Sequence, residues 1–408
     1  MENITGKYGI QGLSFRSLAD QFGTPLYIYD SARIIAQIST LRSKVQDIRI
    51  KYAAKALTNL SILKLMRRHD VGVDVVSIQE AQIACLAGYE SHEIMFTPNS
   101  VSFDEIVAGV EMGLNINLDN LSMLEKFGAK YGNSYPCCLR LNPNIMAGGN
   151  YKISTGHSHS KFGINILQKE SILNTIKRHN IYVNGLHIHT GSEILDLEVF
   201  QKMADILFGL AEAFSDVSFL DFGGGIKVAY RTGEPVTDID ALGQMLSDAR
   251  QAFASKTGRR PELWMEPGKF LVSEAGYLLV KTNVVKETPA VTFVGVDSGL
   301  NQLVRPMMYD AYHEIVNVSN TSGDKKIYTV VGNVCETDTF GKDRELHEVH
   351  EGDLLVILNA GAYGYSMASN YNSRLRPAEV LIHEGVARLI RKRDTLEQIL
   401  AGQIDVFE

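Results

Sequence analysis

Ile48-Arg49-Ile50-Lys51-Tyr52-Ala53-Ala54-Lys55-Ala56 is a short, largely apolar run that ends on a lysine. A run of this length suits a buried strand, and an amphipathic stretch follows it, Leu60 to His69, with apolar residues at i, i+3 and i+4. The same plan recurs downstream. Apolar runs lie at Gly72 to Ser77, Ile94 to Thr97, Asn115 to Asp119, Cys137 to Asn142, Val183 to Thr190, Phe219 to Gly223 and Leu263 to Pro267. Helical patterns such as Ile78 to Ala87 separate them. Eight strand–helix units predict an α/β fold, a parallel (β/α)₈ barrel of TIM type over residues 31–270. Periodicity does not show closure, so an open doubly wound sheet is the alternative.

Beyond residue 270 the texture changes. Tyr277 to Val285, Val291 to Val296, Lys326 to Val331, Leu354 to Leu358 and Ala378 to Ile382 are rich in Val, Ile and Tyr, with Gly- and Asp-containing turns between them. This predicts a second, antiparallel β-domain over 271–408. Residues 1–30 are expected to join it through the early run Leu26 to Tyr29. Gly148 to Ser160 reads as a long polar loop of the lid or contact kind.

Bulk properties narrow the function. The 408 residues exceed what one core usually serves. Forty basic residues against 47 acidic ones give a net charge of −7, which argues against a nucleic-acid partner. No stretch has membrane-spanning length, and the opening residues carry no apolar core of signal-peptide type. Cys85, Cys137, Cys138 and Cys335 show no metal or disulfide spacing, so a reducing, cytoplasmic setting is expected.

In a barrel, the residues ending these runs form the C-terminal rim, where active sites lie. They are Lys55, Ser77, Asp119, Asn142, His189, Gly223 to Gly225 and Glu266. Loops are polar in any case, and for Ser77 and Asn142 that plain reading is kept. A desolvated strand-end Lys55 has a lowered pKa and a nucleophilic amine, fit for a Schiff base. His187 and His189 share one strand face. They are either a metal pair, with Asp74, Asp119 or Glu266 completing the ligands, or include one ring for a flat cofactor. Gly223-Gly224-Gly225 would let backbone N–H groups approach a phosphate, and Glu266 could hold a proton on a heterocyclic nitrogen.

Together these motifs resemble the fold-type III pyridoxal-phosphate decarboxylases, over nearly the whole chain and in order. Tyr52 to Ala56 is similar to the cofactor-lysine motif, and His189-Thr190-Gly191-Ser192 to the stacking-histidine motif. Lys161-Phe162-Gly163 matches a further signature, Cys335-Glu336-Thr337-Asp338 resembles the segment that reaches a neighbouring subunit, and Gly361-Ala362-Tyr363-Gly364 the one whose tyrosine meets the phosphate. The resemblance implies pyridoxal 5′-phosphate as cofactor, held by Lys55, His189, Ser192, Gly223, Gly224, Gly225, Glu266 and Tyr363. It implies Lys55, His189, Glu266 and Cys335 as catalytic groups, Cys335 being the proton donor, and a homodimer with shared active sites.

Within the family the chain is most similar to the diaminopimelate decarboxylases, which implies conversion of meso-2,6-diaminopimelate to L-lysine and CO₂, the last step of lysine biosynthesis. Arg305 would read the distal carboxylate, Glu336 the distal ammonium, and Tyr309, Tyr363 and Lys269 would complete the substrate set. Two departures stand out: Lys269 where most such enzymes carry Arg, and Thr337 where Ser is usual. The rivals are the same fold acting on D-lysine, D-ornithine or ornithine, a metal-dependent barrel hydrolase, and a non-catalytic decarboxylase-like regulator.

Overall fold

The computed structural model describes residues 2–4, 7–146 and 155–407, so residues 148–154 of the polar loop lie outside the described residues. The chain divides into two compact units. One is Ala36–Val228 with Pro235–Leu271; the other comprises the residues up to Ile35, Ala229–Glu234, and those from Val272 onward.

The first unit is a closed parallel barrel. Its strands are β1 (Ile48–Ala53), β2 (Gly72–Val75), β3 (Ile94–Phe96), β4 (Asn115–Leu118), β5 (Cys137–Asn142), β6 (Val183–Ile188), β7 (Phe219–Asp221) and β8 (Glu262–Met265). Each pairs with the next in sequence, and β8 returns to β1 through Leu263↔Ile48 and Met265↔Ile50. Closure removes both sheet edges, which decides between the barrel and the open sheet. The strands are buried along almost their full length, as strands covered on both faces must be.

Polar residues at the strand ends turn the chain into its helices. Ser77 accepts the Glu80 N–H at the head of Ile78–Leu86, and Asn120 caps Leu121–Tyr131 in the same way. Asn142 is also structural: its Nδ2 donates to the carbonyls of His157 and Phe162. Met95, Cys138, Phe219 and Trp264, from β3, β5, β7 and β8, form one buried cluster, with Phe219 stacked on Trp264 at 3.9 Å. The barrel is therefore filled. The alternation of two puts Arg140 on the face of Cys138, Asp221 on that of Phe219, and Glu266 on that of Trp264.

The second unit is built on the twelve-residue strand Gly276–Glu287. It pairs with Leu26–Asp30, Leu354–Ile357 and Thr292–Val296, all antiparallel. Two ladders are parallel, Ala378–His383 on Leu26–Asp30 and Thr292–Val296 on Lys325–Val331, so the sheet is mainly rather than wholly antiparallel. Leu26, Ile28, Tyr277, Leu279, Leu354, Val356, Val380 and Ile382 pack in its core with Phe15 and Leu18 of an N-terminal helix. The excursion Ala229–Glu234 carries no sequence signal of its membership. It is tied into this unit by Asn359 Nδ2, which donates to the Ala229 carbonyl at 2.8 Å, and by the Tyr230 hydroxyl, 2.7 Å from Ser273 Oγ. Among the described residues no helix is long and apolar enough to cross a membrane.

The turn carrying Tyr363 is packed against backbone. A Cβ on Gly361 would lie 1.8 Å from the Val272 carbonyl oxygen. Gly361→Ala should therefore destabilise the protein by about 1–3 kcal/mol, as overpacking against a fixed backbone does. Urea unfolding reads this directly, and an unchanged midpoint would contradict the packing.

Candidate active site

Asp74, Asp221 and Glu266 are among the carboxylates buried in the barrel unit, with Asp119 a further one. Burying charges without partners is costly, so their surroundings decide which of them ionise. Glu266 Oε2 lies 3.1 Å from His187 Nε2, in a contact that lacks hydrogen-bond alignment. Burial works against the Glu266 anion, but His187, Lys55 and His189 together outweigh it and lower the carboxyl to about 2. The Asp221 carboxyl is pushed well up, first by burial and then by the Glu266 charge. Its Oδ1 accepts the Gly223 N–H at 2.8 Å and so shapes the glycine turn. Asp74 is raised to about 7 by burial and by Glu266, against the pull of Lys55, whose Nζ is 2.9 Å from Asp74 Oδ2. One carboxylate thus takes the negative charge and two resist it.

The neighbouring cations are held differently. Lys55 follows β1 in a single 3₁₀ turn and keeps a side chain 38% exposed, so its amine is reachable. Arg140 is buried with its guanidinium 4.6 Å over the Phe162 ring, and it faces the carboxyl groups of Glu266, Asp119, Asp74 and Asp221. The His187 and His189 imidazoles are both lowered, first by burial; for His189 the cations Arg140 and Lys55 add to this. Both rings are neutral near pH 7. The Gly224 N–H donates to His189 Nδ1 at 3.2 Å, which leaves that nitrogen an acceptor.

The glycine run has little room beside it. Gly223 and Gly225 have φ of +61° and +97°, and a Cβ on Gly225 would lie 2.6 Å from the Gly191 carbonyl. Gly191 adjoins Ser192, so the predicted phosphate contacts converge. Glu193, next in the chain, also has a left-handed backbone, and its Oε1 is 2.7 Å from Nζ of the buried Lys269. Lys269 is therefore paired with a carboxylate of its own chain.

Pyridoxal phosphate fits these residues. Glu266 Oε1 is buried without a hydrogen-bond partner among the described residues, and an ionised carboxylate with a spare oxygen suits a protonated ring nitrogen. His187, Asp221 and Glu266 also offer three atoms within 4.8 Å of one another, a spacing a metal could use. Geometry alone leaves both readings standing.

The other predicted residues lie in the β-rich unit. Arg305 is buried and opens the short helix Arg305–Tyr309. Cys335 and Glu336 are exposed; Asn372 Oδ1 accepts the Cys335 N–H at 3.1 Å, and the Tyr371 hydroxyl donates to Glu336. Tyr363 has φ +57°, a strained conformation for a bulky residue and one associated with functional turns. Sequence reading did not single out Arg140, Asp221, Glu193 or Tyr371. Strand alternation could have found the first two.

The chain belongs to the pyridoxal-dependent decarboxylases, since residues 31–273 match that family's pyridoxal-binding domain. This membership chooses the cofactor over the metal and makes the protein a lyase using pyridoxal phosphate. A diaminopimelate decarboxylase of Methanothermobacter thermautotrophicus is 36% identical over 98% of this chain and 96% of its own. That of Escherichia coli K12 is 36% identical over 95% of both. A solved diaminopimelate decarboxylase from M. jannaschii superposes with TM-score 0.91 at 33% identity, covering 99% of this chain and 97% of that one. A lysine/ornithine decarboxylase from Vibrio vulnificus, 22% identical with TM-score 0.78, shares the fold.

The raised Asp74 carboxyl has a stability consequence. Its ordinary value is 3.8, so between there and about 7 the folded chain holds a proton that the unfolded chain releases. Stability therefore falls as pH rises through that window. In cofactor-free protein the wild-type melting temperature should drop relative to Asp74→Asn between about pH 4 and 7. Parallel melting curves across that range would show that Asp74 titrates normally.

Proposed function

We propose that the protein decarboxylates meso-2,6-diaminopimelate to L-lysine and CO₂, in the cytoplasm and as a homodimer. The observation that carries the substrate assignment is full-length similarity, at 33–36% identity, to diaminopimelate decarboxylases of archaea and bacteria. The substrate has an amino-acid group at each end, and losing one carboxylate leaves a distal carboxylate and ammonium to recognise.

Lys55, His189, Ser192, Gly223, Gly224, Gly225, Glu266 and Tyr363 would hold the cofactor. When bound, pyridoxal phosphate supplies a ring that accepts the electron pair left as the Cα–carboxylate bond breaks. Glu266, ionised and with His187 beside it, would hold the proton on the ring nitrogen. His189 stays neutral and adds no charge beside Lys55. Arg305 presents a planar fork for the distal carboxylate, with Tyr309 and Tyr363 as further hydrogen-bonding groups, and Glu336 is the counter-charge for the distal ammonium. Lys269 enters this set already paired with Glu193, which lowers its weight as a carboxylate receptor. The exposed Cys335 thiol returns a proton to Cα after CO₂ leaves, in the active site of the partner subunit.

The deciding measurement is CO₂ release from meso-diaminopimelate, run against D-lysine, D-ornithine and ornithine. Preference for any of the last three would overturn the substrate assignment. Glu266→Gln should still bind cofactor but lose at least about a hundredfold in kcat, equivalent to about 2.7 kcal/mol of barrier. A loss within about threefold would remove Glu266 from its role. Lys55→Ala and Cys335→Ala dimers should each be nearly inactive. Subunit exchange between them should restore about half the wild-type activity per heterodimer, because two-fold symmetry leaves one site intact. No recovery despite demonstrated exchange would refute the shared site.

A further inference from the structure

The guanidinium of Arg305 is buried, and two of its neighbours fix its direction. Nη1 lies 3.0 Å from Nε2 of His313, which is itself fully buried. His313 Nδ1 lies 2.8 Å from the Leu358 carbonyl oxygen. A carbonyl only accepts, so Nδ1 carries the ring hydrogen; Nε2 then has a free lone pair and accepts from Arg305. The Leu358 carbonyl thus sets the tautomer that makes His313 an acceptor.

The second neighbour is Tyr230. The Arg305 guanidinium carbon is 4.7 Å from the centre of its ring, and the His313 ring meets the same tyrosine edge-on at 5.3 Å and 86°. Tyr230 is itself pinned by Ser273 Oγ, and the preceding Ala229 carbonyl by Asn359, the residue after Leu358. Consecutive residues therefore anchor both holders, one through its carbonyl and one through its side chain.

Neither holder is an anion. A neutral imidazole and a ring face orient a guanidinium without cancelling its charge. We propose that His313 and Tyr230 are positioning residues that aim Arg305 at the substrate's distal carboxylate. The inference rests on the reading of Arg305 as the distal-carboxylate receptor.

The test uses holoenzyme and the pair His313→Asn and His313→Gln. Asparagine keeps a donor near Nδ1 for Leu358 but loses the acceptor at Nε2. Glutamine keeps an acceptor near Nε2. His313→Asn should raise the KM for meso-diaminopimelate about tenfold with kcat within about threefold, and His313→Gln should recover most of that loss. Binding separates positioning from folding. L-lysine keeps the carboxylate that Arg305 would read, whereas 1,5-diaminopentane lacks it. His313→Asn should weaken inhibition by L-lysine about tenfold and leave inhibition by 1,5-diaminopentane unchanged. Tyr230→Leu should act in the same direction and Tyr230→Phe should not.

Arg305→Ala is run beside these. If it weakens L-lysine and 1,5-diaminopentane equally, the reading of Arg305 fails and the positioning role falls with it. If it is selective for L-lysine while His313→Asn and His313→Gln behave alike, only the positioning role is overturned. In the Arg305→Ala background His313→Gln and His313→Asn should differ by less than about twofold, and a persisting tenfold gap would show that His313 acts elsewhere.

Discussion

An ionised carboxylate buried in a barrel must be supported from several sides, and the barrel end is arranged around that demand. Glu266 is the supported group. His187 lies against it, Lys55 and His189 add to its stabilisation, and it displaces charge from Asp74 and Asp221. The assignment of one anion among three acids follows from proximity: like charges in a low-dielectric site do not all ionise. Burial lowers both histidines, with Arg140 and Lys55 adding to it, while Glu266 pulls them the other way.

This division of charge suits decarboxylation. A reaction that leaves an electron pair on carbon needs a protonated acceptor, and an acceptor stays protonated only beside a fixed anion. Glu266 can be that anion because nothing in its surroundings hydrogen-bonds its Oε1 among the described residues. Asp221 spends one oxygen on the Gly223 N–H instead, which makes it part of the glycine turn more than of the charge system.

The β-rich unit handles charge in another way. Arg305 is held by a neutral imidazole and an aromatic face, Lys269 of the barrel by a carboxylate. The exposed Cys335–Glu336 segment is held in place by Asn372 and Tyr371, so its presentation depends on a neighbouring turn.

The eight-unit rhythm of the barrel, the change to strands after residue 270 and the polar strand ends were all written in the sequence, because periodicity and turn chemistry are local. Lys55, His189, Gly223 to Gly225 and Glu266 stood out for the same reason, each ending an apolar run. Closure of the barrel was not local: it depends on β8 pairing with β1, more than 200 residues away, and periodicity is silent on that. Nor could sequence place Ala229–Glu234 with the β-rich unit, pair Lys269 with Glu193, or turn His313 toward Arg305. Those depend on which side chains meet across distant segments, and on which of several acids gives up its proton. Residue type sets what chemistry is available; only the fold's distances decide which group carries the charge.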